Sequence, residues 1–459
     1  MAHWLTERFA GFLDRPFLAS EAGSASYGDL VAAVGFAREH LARARLPAGS
    51  IVAVRGDYAT ATVAWMLALA EAKMIVVPVA RVTEDEWQSR VNAAAITHVV
   101  TFPDDDGGSL TSLSGAPPPH ALVDRLRAAG SAGLILFSSG SSGPPKAMIH
   151  DLDALLGGFE DRRARKLVMM VFLLFDHIGG LNTLFGALAG GLFVVAPARR
   201  DPETVAALIE RYRVNVLPAS PTFLNLLLMS GSAERYDLSS LKIITYGTEP
   251  MPEALLGRLK AAFPRARLIQ TFGTSETGIA QTSSRASDST FFKIEDPALE
   301  WKIVDGELWL RSRTQVLGYL NASMESFLDG GWFNTGDVVE EAGDGFLRIL
   351  GRGSDLINVG GEKVLPAEVE SALLQLPQVA DCTVYASPNP ITGQSVTADV
   401  VPSGTTGASE LRKAIRQHCT QMLSRYKMPT KINIVEQLDR SERFKKRRPA
   451  AGSSGGPAS

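Results

Sequence analysis

Between about residues 50 and 275, short runs rich in β-branched residues alternate with segments of helical spacing, and this alternation narrows the fold more than any other feature. Residues 50–54 read as strand, 60–73 as helix, 75–80 as strand, 84–96 as helix and 97–102 as strand. Successive strands separated by a helix cannot close as tight hairpins. They close as crossovers into a largely parallel sheet. Such sheets gather loops and helix N-termini at one edge, where ligands bind, so function is expected in the loops that follow strands.

The pattern changes after residue 299. Residues 301–304 and 307–310 flank Asp305-Gly306, and Asp344-Gly345 precedes 346–350, which predicts a meander of antiparallel strands. From 356 to 447 the order is helix (367–376), strand (382–386), strand (395–401), helix (409–425) and strand (431–435). In that last helix Leu411, Ile415, Cys419, Met422 and Leu423 fall on one face, which predicts a helix covering a small sheet. The expectation is an α/β chain: a large N-terminal domain of stacked βαβ sheets plus a β-meander subdomain, then a small α+β C-terminal domain. No internal repeat stands out.

Composition excludes several classes. The 459 residues carry 46 Lys and Arg against 49 Asp and Glu, a net charge of −3, which gives no general attraction to nucleic acid or anionic membrane. With 45% hydrophobic and 21% charged residues, the chain is neither disordered as a whole nor short of a core. Two cysteines cannot staple it, and Cys382 and Cys419 read as small buried hydrophobes. The N-terminus lacks a cationic region followed by an apolar core, and the longest apolar run, 167–175, falls far short of the roughly 20 residues of a spanning helix. A reducing cytoplasm is the expected location.

The most informative stretch is 134–150, LILFSSGSSGPPKAMIH. An apolar strand delivers the chain into Ser138, Ser139, Gly140, Ser141, Ser142 and Gly143, and Lys146 follows. Glycines let backbone N–H groups converge, hydroxyls add donors and the lysine brings positive charge, a combination suited to a polyphosphate. A flexible linker would need neither the strand before nor the lysine after. The glycine spacing is not that of a Walker loop, and no Ser or Thr follows the lysine.

Further motifs follow in order: YGTEP at 246–250, QTFGTSE at 270–276, TGD at 335–337, GRGSDLINVGGEKVLPAEVE at 351–370 and LDRSERFKKRR at 438–448. Together with the serine-rich loop they resemble the adenylate-forming superfamily of acyl- and aryl-CoA synthetases, luciferases and peptide-synthetase adenylation domains. The resemblance spans about 25–448. It implies ATP and Mg2+ as cofactors, a small carboxylic acid as substrate, and coenzyme A or phosphopantetheine on an acyl or peptidyl carrier protein as acceptor.

The resemblance also implies residue roles. Glu276 would be the magnesium ligand and Ser275 would reach the α-phosphate. Gly247, Thr248 and Glu249 would border adenine, with Phe272 stacking on the base among Thr271, Gly273 and Thr274. Asp337 would accept from the ribose hydroxyls, Arg352 would reach ATP, and Lys445 would be the mobile catalytic lysine, with Lys446 as the alternative register. His177 would gate the acyl pocket, and Thr245, Tyr246, Gly273 and Ile279 would shape it for a compact acid, aromatic acids included. Asp176 either caps its loop or binds a substrate ammonium. The implied organisation is an adenylation domain over 1–352, a hinge at 353–355, a mobile C-terminal domain over 356–447 and a flexible tail over 448–459.

Four positions depart from the family pattern: Ala147 after the loop lysine, Thr271 before the aromatic, Ser354 at the hinge and Phe444, where glycine normally precedes the catalytic lysine. Other branches of the superfamily use amines, water or, in aryl-amine diazotases, nitrite as acceptor, and others activate amino acids. A non-catalytic nucleotide-binding protein would not need the mobile lysine, and a single basic segment does not suit a nucleic-acid binder.

Overall fold

The computed structural model describes residues 3–20, 23–103, 107–138, 145–441, 444 and 446–449. Among these residues the large N-terminal domain holds two largely parallel seven-stranded sheets and a third, antiparallel seven-stranded sheet. One runs Arg267–Gln270, Ile243–Tyr246, Val216–Ala219, Val168–Met170, Phe193–Val195, Pro16–Ser20 and Gly23–Ser26, parallel except at the last pair. The other has Gly133–Phe137, Ile75–Val79, Ile51–Arg55 and His98–Thr101 parallel at its centre, with antiparallel strands at each end.

The two sheets share a core. Helix Thr60–Glu71 is apolar almost all round, and its residues 62–70 are buried, the signature of a helix enclosed on every side. It packs with helices Tyr27–Ala44 and Ile178–Gly190 in one hydrophobic cluster that reaches both sheets. Helices Pro202–Tyr212, Pro221–Met229 and Glu253–Ala262 cover the outer face of the first sheet. The parallel sheets expected from the alternation are therefore present, with boundaries moved by a residue or two because strand ends follow the register of the neighbouring strand.

The expected meander is a sheet in which Leu299–Val304 pairs with Glu307–Ser312, which pairs with Trp332–Ala342, which pairs with Phe346–Arg352. In the small C-terminal domain, Val379–Asn389 and Gly393–Pro402 form a long hairpin, and Lys431–Ile434 adds in parallel. Helix Ala408–Met422 lays Leu411, Ile415 and Cys419 on this sheet. Met422, expected on the same face, is 50% exposed; it is the last residue of the helix, and the chain turns extended at Leu423. Both cysteines are buried and free. Among the described residues no helix is long and apolar enough to cross a membrane.

Candidate active site

Strand Gly133–Phe137 is fully buried and ends directly at Ser138. Ser139, Gly140, Ser141, Ser142 and Gly143 lie outside the described residues. The two ends of this loop are held together: the Ser138 amide donates to the Lys146 carbonyl at 3.0 Å. Asn321 clasps the second end, donating to the Pro145 carbonyl at 3.0 Å and accepting from the Ala147 amide at 2.7 Å. Lys146 is exposed and its ammonium lies over the ring of Tyr319, 5.3 Å from the centroid.

Tyr319 joins this loop to Glu276. Its hydroxyl donates to Glu276 Oε1 at 2.8 Å. Burial, together with the neighbouring carboxylate, pushes the phenol far above its ordinary range, so it remains a donor. Glu276 sits on the turn between strands Phe272–Thr274 and Gly278–Ala280. The Thr274 hydroxyl accepts from the Glu276 and Thr277 amides at 3.2 and 3.0 Å, so it fastens the turn that presents Glu276 and Ser275. Gly273 in that hairpin has no room for a Cβ against Gly278 and Ile279.

The YGTEP segment leaves strand Ile243–Tyr246 and meets the neighbouring loop closely. The Thr271 amide donates to the Tyr246 carbonyl at 2.7 Å, and a Cβ on Gly247 would lie 2.6 Å from the Thr271 carbonyl oxygen, so only glycine fits. Thr248 follows at φ +74°, an unusual conformation for a β-branched residue. Glu249 accepts from the Thr222 amide at 2.7 Å at the start of helix Pro221–Met229. Phe272, expected against adenine, is 9% exposed and rests beside Phe292, with centroids 5.6 Å apart, in the meander core.

Asp337 and Arg352 face each other across paired strands, and Arg352 Nε lies 3.2 Å from Asp337 Oδ1. The Asp337 amide is held by the Thr335 hydroxyl at 3.0 Å. A cleft of ≈ 720 Å3 opens between the domains, lined by Thr248, Glu249, Gln270 and Arg352 on one side and by Glu370 and Lys446 on the other.

His177 is the N-cap of helix Ile178–Gly190, where its Nδ1 accepts from the Gly179 amide at 3.2 Å. Gly180 lacks space for a Cβ against the Leu174 carbonyl and the Tyr58 hydroxyl, so the loop before the helix lies tight on it. The helix packs beside strand Gly278–Ala280, which carries Ile279, so His177 and Ile279 belong to neighbouring elements. Asp176 is buried and paired with Arg90 at 3.2 Å, and Arg90 also lies over the ring of Phe137 at the end of the loop strand. Arg90 meets Oδ2 alone, and Asp176 Oδ1 is buried with no hydrogen-bond partner among the described residues.

Lys445 lies outside the described residues. Lys446 is partly buried and bonded within the C-terminal domain: its ammonium is 2.9 Å from Asp381 Oδ1 and donates to the Cys382 carbonyl at 2.6 Å. Arg440 reaches the other oxygen of Asp381 at 2.8 Å. Burial opposes the charge on Asp381, but Lys446 and Arg440 outweigh it and hold the carboxyl below its usual range. Arg448, expected to open the tail, is instead fastened, with Asp355 and Glu370 each at 3.1 Å.

Tyr319, Arg90 and Asp381 escape sequence reading. Their partners lie 43, 86 and 65 positions away, with no local pattern linking them. Among the described residues no group of three or more His, Cys, Asp or Glu could hold a metal by itself. A single carboxylate such as Glu276 suits Mg2+, which takes one or two protein carboxylates, completes its octahedron with phosphate oxygens and water, and seldom uses a full protein cage.

The family model of AMP-binding enzymes matches residues 5–320, and that of the AMP-binding enzyme C-terminal domain matches 368–445. The chain belongs to the AMP-binding enzyme family. Its acyl-CoA synthetase-like class is that of AMP-forming ligases, so this chain is an enzyme of that class. It is 27% identical to a 2-succinylbenzoate–CoA ligase of Bacillus cereus, over 96% of both chains. A protein of the same name from Bacillus licheniformis is 30% identical over 72% of this chain and 71% of its own. The fold matches the crystal structure of the anthranilate CoA ligase AuaEII in complex with anthranoyl-AMP at a TM-score of 0.80, with 20% identity over 96% and 94% of the two chains. In an AMP-binding enzyme the charge that develops on phosphorus must be met by fixed cations and donors. Here Lys146, Tyr319 and Glu276 form one contiguous group, in which Lys146 is the cation and Glu276 an anion already bonded to the Tyr319 hydroxyl.

Proposed function

We propose that this chain is a magnesium-dependent ligase that adenylates a small aromatic carboxylic acid and transfers the acyl group to the thiol of coenzyme A. In the first step a carboxylate oxygen attacks the α-phosphorus of ATP, the bond from that phosphorus to the β-bridging oxygen breaks, and pyrophosphate leaves. In the second the thiol sulfur attacks the acyl carbon, its proton passes to solvent, and AMP leaves with the bonding pair. The aromatic class rests on the two ligases named for 2-succinylbenzoate.

The observation that carries this reading is the junction at Tyr319, where the loop lysine and the glutamate of the 270–276 motif share one side chain. Lys146 supplies positive charge to the leaving phosphates, and Glu276, oriented by Tyr319, holds Mg2+, which neutralises phosphate charge when bound. Asp337 and Arg352 address the ribose and phosphate ends of the nucleotide. Lys445 bridges the substrate carboxylate and the phosphate, Lys446 being occupied by Asp381.

The test is exchange of labelled pyrophosphate into ATP with Mg2+ and a panel of aromatic acids, followed by thioester formation on adding coenzyme A. Acid-dependent exchange with AMP as final product is expected, and ADP formation would contradict the proposal. Thioester formation only with a holo carrier protein, or nitrogen–nitrogen bond formation with nitrite and an aryl amine, would move the acceptor to another branch.

A further inference from the structure

The basic segment is a hairpin whose tip is built differently from its base. Arg440 pairs with Lys446 as an antiparallel bridge, the Arg447 amide donates to the Asp439 carbonyl at 3.0 Å, and the Phe444 amide donates to the Ser441 carbonyl at 2.9 Å. The base is pinned in the C-terminal domain, because Arg440 and Lys446 both hold Asp381. Phe444 at the tip has φ +53°, a left-handed conformation that glycine adopts freely and a bulky residue does not.

The strain at Phe444 is matched by contacts across the domain boundary. Its ring centroid lies 5.4 Å from Phe172, tilted at 38°, and 5.4 Å from Phe223, nearly edge-on at 74°. Phe172 and Phe223 are themselves 4.1 Å apart. The Ser220 hydroxyl donates to the Phe444 carbonyl at 3.3 Å, and Asn225 Nδ2 donates to the carbonyl of Ala380, next to Asp381, at 3.1 Å. One helix of the large domain, Pro221–Met229 with its N-cap Ser220, therefore receives both the tip of the hairpin and the strand whose Asp381 pins its base. Phe172 stands immediately before Leu173–His177, the loop that leads into the candidate acyl pocket.

We infer that Phe444 is a positioning residue: its ring, seated against Phe172 and Phe223, keys the C-terminal domain to the large domain in the pose that delivers Lys445 to the acid. This rests on the proposed ligase function. A phenylalanine at a position whose backbone favours glycine persists only where its surroundings over-determine it, and here the aromatic seat does so. Glycine at 444 would relieve the backbone while emptying the seat, so any loss it causes belongs to the ring.

The test uses the full chain with Phe444→Gly and Phe444→Leu. For Phe444→Gly, kcat of acid-dependent pyrophosphate exchange is expected to fall about 30-fold while KM for ATP moves less than about threefold, and leucine should recover most of the loss. Hydrogen exchange of the 220–229 amides, read without substrates, is expected to rise about tenfold in the glycine variant and to return toward wild type in the leucine variant. Unchanged exchange of those amides with unchanged kcat overturns the inference, as does a matched loss of kcat and ATP affinity. A wild-type chain that exchanges pyrophosphate with no acid would overturn the ligase reading and the delivery of Lys445. Lost protection in Phe444→Gly would still support keying of the two domains.

Discussion

Asp381→Asn isolates the charge cluster beneath the basic 438–448 segment. The Asp381 side chain is 1% exposed, Lys446 11% and Arg440 18%, so all three are shielded from water. Removing the anion strands two cations, and breaking a buried pair in this way costs about 3–5 kcal/mol. Lys446→Met is milder: Asp381 keeps Arg440, the methionine fills similar space, and losing the ammonium's bonds to Asp381 and to the Cys382 carbonyl costs about 1.5–3 kcal/mol in all. Native-state hydrogen exchange of strand Val379–Asn389 reads the difference directly. Opening is expected to increase roughly 100-fold or more for Asp381→Asn and roughly tenfold to 100-fold for Lys446→Met, at 1.4 kcal/mol per tenfold. Because the Asp381 pKa is lowered on folding, its contribution is complete above the ordinary carboxylate value near 4 and is lost as pH falls through the folded value. Pyrophosphate exchange completes the assay. Lys445→Ala should lose about 100-fold in kcat or more, as when one donor to developing charge is removed, and Lys446→Met less than about tenfold. Wild-type protection in Asp381→Asn, or the larger kinetic loss in Lys446→Met, refutes the reasoning.

Three further perturbations probe other parts of the molecule. Tyr319→Phe keeps the ring under Lys146 and removes the bond to Glu276, so adenylation should fall about tenfold with a raised Mg2+ requirement and unchanged metal-free ATP binding; an unaltered Mg2+ titration would discount the orienting role. Thr248→Gly should raise stability by about 1 kcal/mol in urea melts, since glycine removes strain at φ +74° at some entropic cost, and a loss of stability would show that the side chain holds the turn. His150 is fully buried, and burial, partly opposed by the Thr314 backbone, pushes its pKa down to about 4. The unfolded imidazole binds its proton near 6.5, so stability is complete above that value and falls by about 3 kcal/mol as pH drops to 4. His150→Leu should flatten that limb in a pH series of melts, and an unchanged limb assigns it to other groups.

The parts of this protein legible in sequence are those encoded locally. Alternating strand and helix patterns gave the parallel sheets, and the strand-to-loop transition at Phe137–Ser138 marked where the buried strand ends. Glycine identity marked the 247 and 273 positions, although the physical reason at 247 is the approach of Thr271, which only three dimensions reveal. What escaped reading depends on side chains brought together from distant segments: Tyr319 with Glu276, Arg90 with Asp176, and Arg440 and Lys446 with Asp381. Met422 was misplaced because a helical-face argument does not say where the helix itself ends, and the chain turns extended directly after it. Phe444 was visible as a departure at a glycine position, but its partners Phe172 and Phe223 were not.

The paired anchorage of the serine-rich turn has a consequence for variation. Ser138 and Lys146 are tied to each other, and Asn321 grips the chain on both sides of Lys146. The two footings are thus set independently of whatever spans them. Insertions or deletions between them would leave both footings, and with them the station of the lysine, in place.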